Sequence, residues 1–204
     1  MTKQNHRPQD AAPYWVMALD AGVVALAMLM AYLLRYRLQW FRDVVYDAPL
    51  QAYLPFLGLF TVLVPFTLLV DGAYRDWRGR RWLDHVYLIV NAVAKVLIVI
   101  LALAFVFRPL VYSRLLLLEA GAGMLLFLSV ERMLVLTVQS WLRRRGIGIK
   151  RVIIVGAGEV GRRVMRTLVA RPDLGYEIVG YVDDNPEKGH GEIGRIPGLG
   201  AIDD

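Results

Sequence analysis

The chain has 204 residues, 57% of them apolar and 21% charged, with a net charge of +6 and no cysteine. A soluble domain carries roughly 45–50% apolar residues, and nearly all of the excess lies before Trp141. The missing cysteines exclude disulfides, thiolate metal sites and a thiol nucleophile; His6, His85 and His190 show no metal-ligand spacing, and no nucleic-acid motif accompanies the positive charge.

The first thirteen residues are polar and show no cleavable-signal pattern, so 1–13 reads as a cytoplasmic tail. Four apolar segments follow, at about 14–34, 53–70, 86–107 and 115–138. Each is near the length of about 20 residues that spans roughly 30 Å of hydrocarbon. Tyr14, Trp15, Trp82 and Trp141 flank them as interfacial aromatics do. Pro65 predicts a kink in the second segment. The sequence therefore predicts a transmembrane region over 14–142.

Loop charges set its orientation. With the N-terminus inside, the inner segments carry Lys3, Arg7, Arg75, Arg78, Arg80, Arg81, Arg143, Arg144, Arg145, Lys150 and Arg151. The outer loops carry only Arg35, Arg37, Arg42, Arg108 and Arg114. The positive-inside rule then places both termini in the cytoplasm.

Charges inside the spans cost roughly 2.5–3.5 kcal/mol each on insertion scales, so they should face protein. Asp20 and Lys95 lie at depths that differ by about 5 Å at 1.5 Å per residue, which predicts that they approach each other. Glu131 and Arg132 reach the same depth. Such a cluster reads as a polar path through the bundle or as an interhelical ion pair, and the pair needs less, since no second polar layer follows. Glu119 is expected to meet Arg114 or Arg108, or to reach water. The basic, aromatic loop from Asp71 to Arg81 could bind lipid phosphates or simply set topology.

A basic linker, 143–150, leads into a different pattern. Arg151 to Val155 is a short β-branched run. Gly156-Ala157-Gly158-Glu159-Val160-Gly161 follows and fits G-x-G-x-x-G, then a helical stretch to about Ala170, a break at Arg171–Gly175 and a second strand from Tyr176 to Val182. In such a turn the first glycine permits the bend, the second lets a phosphate approach the backbone and the third lets helix pack on strand. Asp183 stands where an acid would hold a ribose hydroxyl. Gly156, Gly158, Gly161 and Asp183 are therefore the candidate cofactor-binding residues, for a nucleotide such as NAD or a UDP-sugar, although the same glycines can serve packing alone. No catalytic and no metal-binding residue stands out. The fold class read from these patterns is an α-helical membrane bundle of four transmembrane helices followed by a partial Rossmann-like α/β unit, a truncated β-α-β over 151–204. A mononucleotide half needs βαβαβ, so the stretch is expected to belong to a longer protein or to need a partner for closure, with a Gly-rich tail heading for another strand.

The four spans, the loop DGAYRDWRGRRWLDH, the exit FRPLVYSRLLLLEAG, the junction WLRRRGIGIKRVIIVGAGEVGRR and the stretch RPDLGYEIVGYVDDNPEKG together resemble the N-terminal half of large membrane-bound polyprenyl-phosphate sugar-1-phosphate transferases. The resemblance covers about residues 10–204 and is carried most by Tyr112-Ser113-Arg114 and by Gly175 to Asp184. It implies the bacterial inner membrane and a reaction that moves sugar-1-phosphate from a UDP-sugar to undecaprenyl phosphate, starting exopolysaccharide or O-antigen chains. In that family Mg²⁺ and an acidic dyad belong to a C-terminal catalytic module with no counterpart among these residues, so no catalytic role carries over. The implied partners are membrane lipid, that module and a second copy of the chain, and not nucleic acid. The same half is also similar to that of membrane-bound nucleotide-sugar 4,6-dehydratases and epimerases of polysaccharide biosynthesis.

Overall fold

The structure, a computed structural model, describes residues 14–38, 48–75, 80–106, 113–185 and 191–202. The expected tail 1–13, Asp76–Gly79 of the basic loop, Arg108 and His190 lie outside the described residues. Two compact units emerge, Met1–Leu134 and Val135–Asp204.

The first unit is built on four helices, α1 (Tyr14–Tyr36), α2 (Leu54–Val70, entered through a 3-10 turn at Leu50–Tyr53), α3 (Trp82–Val106) and α4 (Arg114–Arg144). All four are long and apolar enough to cross a membrane, counting α2 with its entry turn. Only 33% of each apolar window is buried inside the protein, so most of the apolar surface faces outward. What is buried follows helical spacing. On α1 it is Val16, Asp20, Val24, Ala27, Met28 and Ala31; on α3 it is Ile89, Ala92, Val93, Val96 and Ile100. Residues three and four apart share one face, and each helix packs that stripe inward. Pro65 sits inside α2, and the helix continues through it. Small residues let α4 come close to its neighbours: a Cβ on Gly123 would lie 3.7 Å from that of Ala27, and one on Gly121 would lie 3.0 Å from Leu97.

Polar side chains tie both ends of this unit. At one end Arg132 donates to both carboxylate oxygens of Asp20, at 2.9 and 2.8 Å. Both side chains are almost fully buried, 1% and 0% exposed. Tyr74, in the turn after α2, donates to Asp20 as well, and burial followed by the Asp20 charge pushes its phenol up, so it remains a donor. Glu131 lies 3.8 Å from Arg132 Nε, and His85 is buried nearby. Trp82 donates to the Ser129 carbonyl at 3.2 Å. At the other end Tyr36 and Tyr53 share a 2.7 Å hydroxyl contact, Tyr53 accepts the Ser113 amide at 2.9 Å, and Arg35 pairs with Glu119 at 3.2 Å.

Two sequence expectations are corrected here. Asp20 pairs with Arg132, not Lys95. Lys95 turns away from the buried stripe of α3, is half exposed, and holds Asp71 at the end of α2 at 2.9 Å. Glu119 meets Arg35 of α1 rather than Arg114, whose guanidinium lies over the Phe105 ring instead. Equal depth brings charges to one layer of a bundle; the rotation of each helix decides which of them meet.

In the second unit, β1 (Lys150–Val155) and β2 (Tyr176–Val182) pair in parallel around α5 (Glu159–Ala170). The register slips between Val152 and Ile153, leaving Val179 as an extra residue in β2. The tail forms a small antiparallel pair, β3 (Glu192–Ile193) and β4 (Ile196–Pro197), then runs along the free edge of β2. There Leu199 donates to the Tyr181 carbonyl at 2.8 Å and Asp183 to that of Gly200 at 3.1 Å. This approach needs Gly180, where a Cβ would sit 2.6 Å from Leu199 and 2.9 Å from the Pro197 carbonyl. Ala157, Met165, Tyr181 and Ile196 form the core, with Ile154, Ile178 and Ile193 packed against it. The tail, expected as a Gly-rich stretch heading for another strand, itself lines one edge of the sheet; along β1 no further strand pairs among the described residues.

The buried pair gives a direct prediction. Arg132→Leu strands a buried carboxylate and should cost about 3–5 kcal/mol. Asp20→Asn should cost less, because Glu131 remains beside the guanidinium. The double variant should recover part of the Arg132→Leu loss, read as unfolding midpoints in detergent micelles; strictly additive losses would exclude the contact.

Candidate functional site

The site is the turn between β1 and α5. Gly156 adopts φ 92°, a left-handed conformation costly to residues with a Cβ, and its amide donates to the Val182 carbonyl at 2.8 Å. That bond ties the turn to the end of β2. Ala157 is fully buried. Gly158 caps α5 without a side-chain hydrogen bond, at φ −68° and ψ −173°. A Cβ on Gly161 would lie 1.9 Å from the Gly156 carbonyl oxygen, so this position can only be glycine while helix and strand stay this close.

Gly158 is different. Its backbone is ordinary extended chain and nothing lies within 4 Å of an added Cβ. Neither strain nor packing demands glycine there. A side chain would instead stand in front of the first turn of α5, where unpaired amides and the helix dipole favour an anion.

The structure brings the four predicted residues to one place, with Asp183 in a second role. Its Oδ2 accepts the Ala157 amide at 2.7 Å and its Oδ1 the Asn185 amide at 2.9 Å. The carboxylate therefore staples the glycine turn to the end of β2.

Three residues were missed by the sequence reading. Arg162, Arg163 and Arg166, with Ala157, Gly158 and Glu159, line a cleft of about 570 Å³ over the turn. Arg162 Nε donates to the Ala157 carbonyl at 3.1 Å, which aligns the guanidinium along the turn. The signal was present: positions 162 and 166 are four apart, on one face of a helix, directly after the third glycine. Arg163 lies 3.8 Å from Glu159 on the exposed surface, a pair of little energetic weight. The cleft is chemically a phosphate site in outline, with backbone amides, a helix start and three guanidiniums. Among the described residues no group of three histidines or acids is placed to hold a metal ion.

The sequence pattern of the CoA-binding domain family matches residues 70–204. The chain belongs to that family. The CoA-binding domain begins at the last residue of α2 and takes in the basic loop, α3, α4 and the whole β-α-β with its tail. It is a domain found in polysaccharide-biosynthesis and sugar-transferase proteins. No curated protein matches the chain.

Gly158, Gly161 and Asp183 in the turn of this CoA-binding domain should respond differently to substitution. Gly161→Val should abolish amide-exchange protection across β1, α5 and β2, since its Cβ meets backbone. Asp183→Ala should lower the stability of the same elements by about 1–3 kcal/mol, the cost of stranding charge-assisted bonds. Gly158→Val should leave protection unchanged. Equal loss for Gly158→Val and Gly161→Val would mean that the turn is packed on both sides.

Proposed function

We propose that the chain is the membrane-anchoring and Rossmann-like accessory half of a sugar transferase that moves sugar-1-phosphate from a UDP-sugar to undecaprenyl phosphate. The observation that carries this reading is the extent of the family match: one domain of polysaccharide-biosynthesis proteins runs without a break from two of the long apolar helices into the glycine turn. The outward-facing apolar surface of α1–α4 supports a bilayer setting, because a large exposed apolar surface is unstable in water. Exposed Tyr14, Trp15, Trp82 and Trp141 support interfacial ends. The charge of the loops supports both termini in the cytoplasm of a bacterial inner membrane.

In this reading the bundle delivers the β-α-β to the inner leaflet, and the chemistry, with its Mg²⁺, is supplied by a separate catalytic module. The glycine turn holds the phosphates of a nucleotide. The family's description names coenzyme A, and NAD and UDP-sugars carry the same pyrophosphate element. The turn fits that group: Gly158 leaves the backbone open, α5 presents its first amides, and Arg162 and Arg166 stand within the cleft. Asp183, at the end of β2 and bonded to the turn through the Ala157 amide, is the acid that would meet a ribose hydroxyl.

Thermal unfolding of the purified chain in nanodiscs, with coenzyme A, NAD or UDP-glucose added separately, tests the nucleotide site. One of them should raise the melting temperature, and Gly158→Val or Arg162→Ala/Arg166→Ala should remove the rise without changing the unliganded value. No rise with any of the three would overturn the nucleotide reading of the turn. Joining the chain to a catalytic module should yield transfer of labelled sugar phosphate from UDP-sugar to undecaprenyl phosphate. Formation of a 4-keto sugar instead would identify the dehydratase branch.

A further inference from the structure

The α1–α4 seam holds a groove of about 340 Å³, within the roughly 300–1,000 Å³ range of small-molecule sites and far below the volume of a helix. Its floor is made of small residues, Ala27, Ala31 and Gly123, exposed Ala122 stands at its open side, and one end is closed by Arg35 and Glu119. The rest of its lining is apolar. From Ala27 to Arg35 is about 12 Å along the helix, close to half of the roughly 30 Å hydrocarbon core. The groove therefore has the length of one leaflet, with its polar end at the end of α1 where an interface would lie.

That polar end is incompletely satisfied. Arg35 and Glu119 pair at 3.2 Å, with side chains 12% and 20% exposed. Arg35 Nε and Glu119 Oε2 are buried and have no hydrogen-bond partner among the described residues. One is a donor and the other an acceptor, and leaving both unmade is costly. A hydroxyl can accept from the first and donate to the second. A phosphate dianion can only accept, and would be repelled by Glu119, while the pair as a whole carries no net charge to attract it.

We propose that this groove is a lipid site, taking one acyl or isoprenoid chain of a neutral, hydroxyl-headed lipid with its hydroxyl against Arg35 and Glu119. The inference rests on the bilayer reading of α1–α4 and is independent of the nucleotide site.

The test uses the full chain in phosphatidylcholine nanodiscs with a diacylglycerol carrying a photoreactive diazirine in its chain, and a phosphatidic acid of the same chains as comparison. Diacylglycerol label should concentrate on 27–35 and 119–127. It should fall roughly tenfold or more, the factor a single strong contact controls, in Ala122→Phe, which fills the groove from its open side. It should fall similarly in Arg35→Leu/Glu119→Leu, with helical content unchanged in both variants. Label spread evenly over outward positions such as Leu26, Val62 and Ile98 would overturn the site. So would equal labelling by phosphatidic acid, or a groove left unlabelled because a second copy crosslinks there. Absence of label on every helix would instead remove the bilayer reading itself.

Discussion

The contact between Arg132 and Asp20 is the constraint on which the helical unit depends. It joins the last helix to the first across 112 residues of chain, and Tyr74 adds the turn between α2 and α3 to the same carboxylate. Burying two charges costs several kcal/mol per ion before they attract each other. The pair is therefore poor evidence for stability, but good evidence for a defined arrangement, because any other rotation of α1 or α4 would bury one charge without the other. Apolar side chains on these helices face outward and inward alike, so packing alone chooses among rotations weakly. In a bundle of this composition, a single charged contact can specify what a soluble core specifies by hydrophobic pattern.

How much of this was legible in the sequence depends on which coordinate is asked for. The helices were written in length and composition, and Asp20 was correctly read as a residue that must face protein. Its partner was misread because depth fixes only one of two coordinates. The other is the angle around the helix. Positions 124, 128 and 132 lie on one stripe of α4, and Met124, Leu128 and Arg132 are all buried. Lys95 falls beside the α3 stripe of Ala92, Val93 and Val96 rather than on it. Reading the apolar stripe through the charged position, not just past it, would have chosen Arg132.

The glycine turn was legible for a stronger reason. Gly156 and Gly161 are demanded by backbone geometry that any strand-turn-helix of this closeness imposes, and β1, α5 and β2 lie where the pattern put them. The role of Asp183 was harder to see, since a carboxylate after β2 can face a ligand or staple the turn, and here its bonds are to Ala157 and Asn185. The tail was legible as glycine-rich but not as a sheet edge. That role depends on Gly180 in β2, a residue whose meaning appears only once Leu199 and Pro197 lie against it. The units therefore differ in kind. The α/β unit is determined by local sterics and can be read from short motifs, whereas the helical unit is determined by long-range side-chain choice.

The central claim, that α1 and α4 are locked in one register by the Asp20–Arg132 contact, is open to a single geometric measurement. The chain has no cysteine of its own, and the Cβ positions at 27 and 123 are 3.7 Å apart, within the roughly 3.5–4.5 Å a disulfide requires. Oxidation of the Ala27→Cys/Gly123→Cys chain in nanodiscs should close a bridge within one molecule nearly to completion, and adding Arg132→Leu should slow that closure. A pair that never bridges, or that bridges at the same rate without Arg132, would contradict the account.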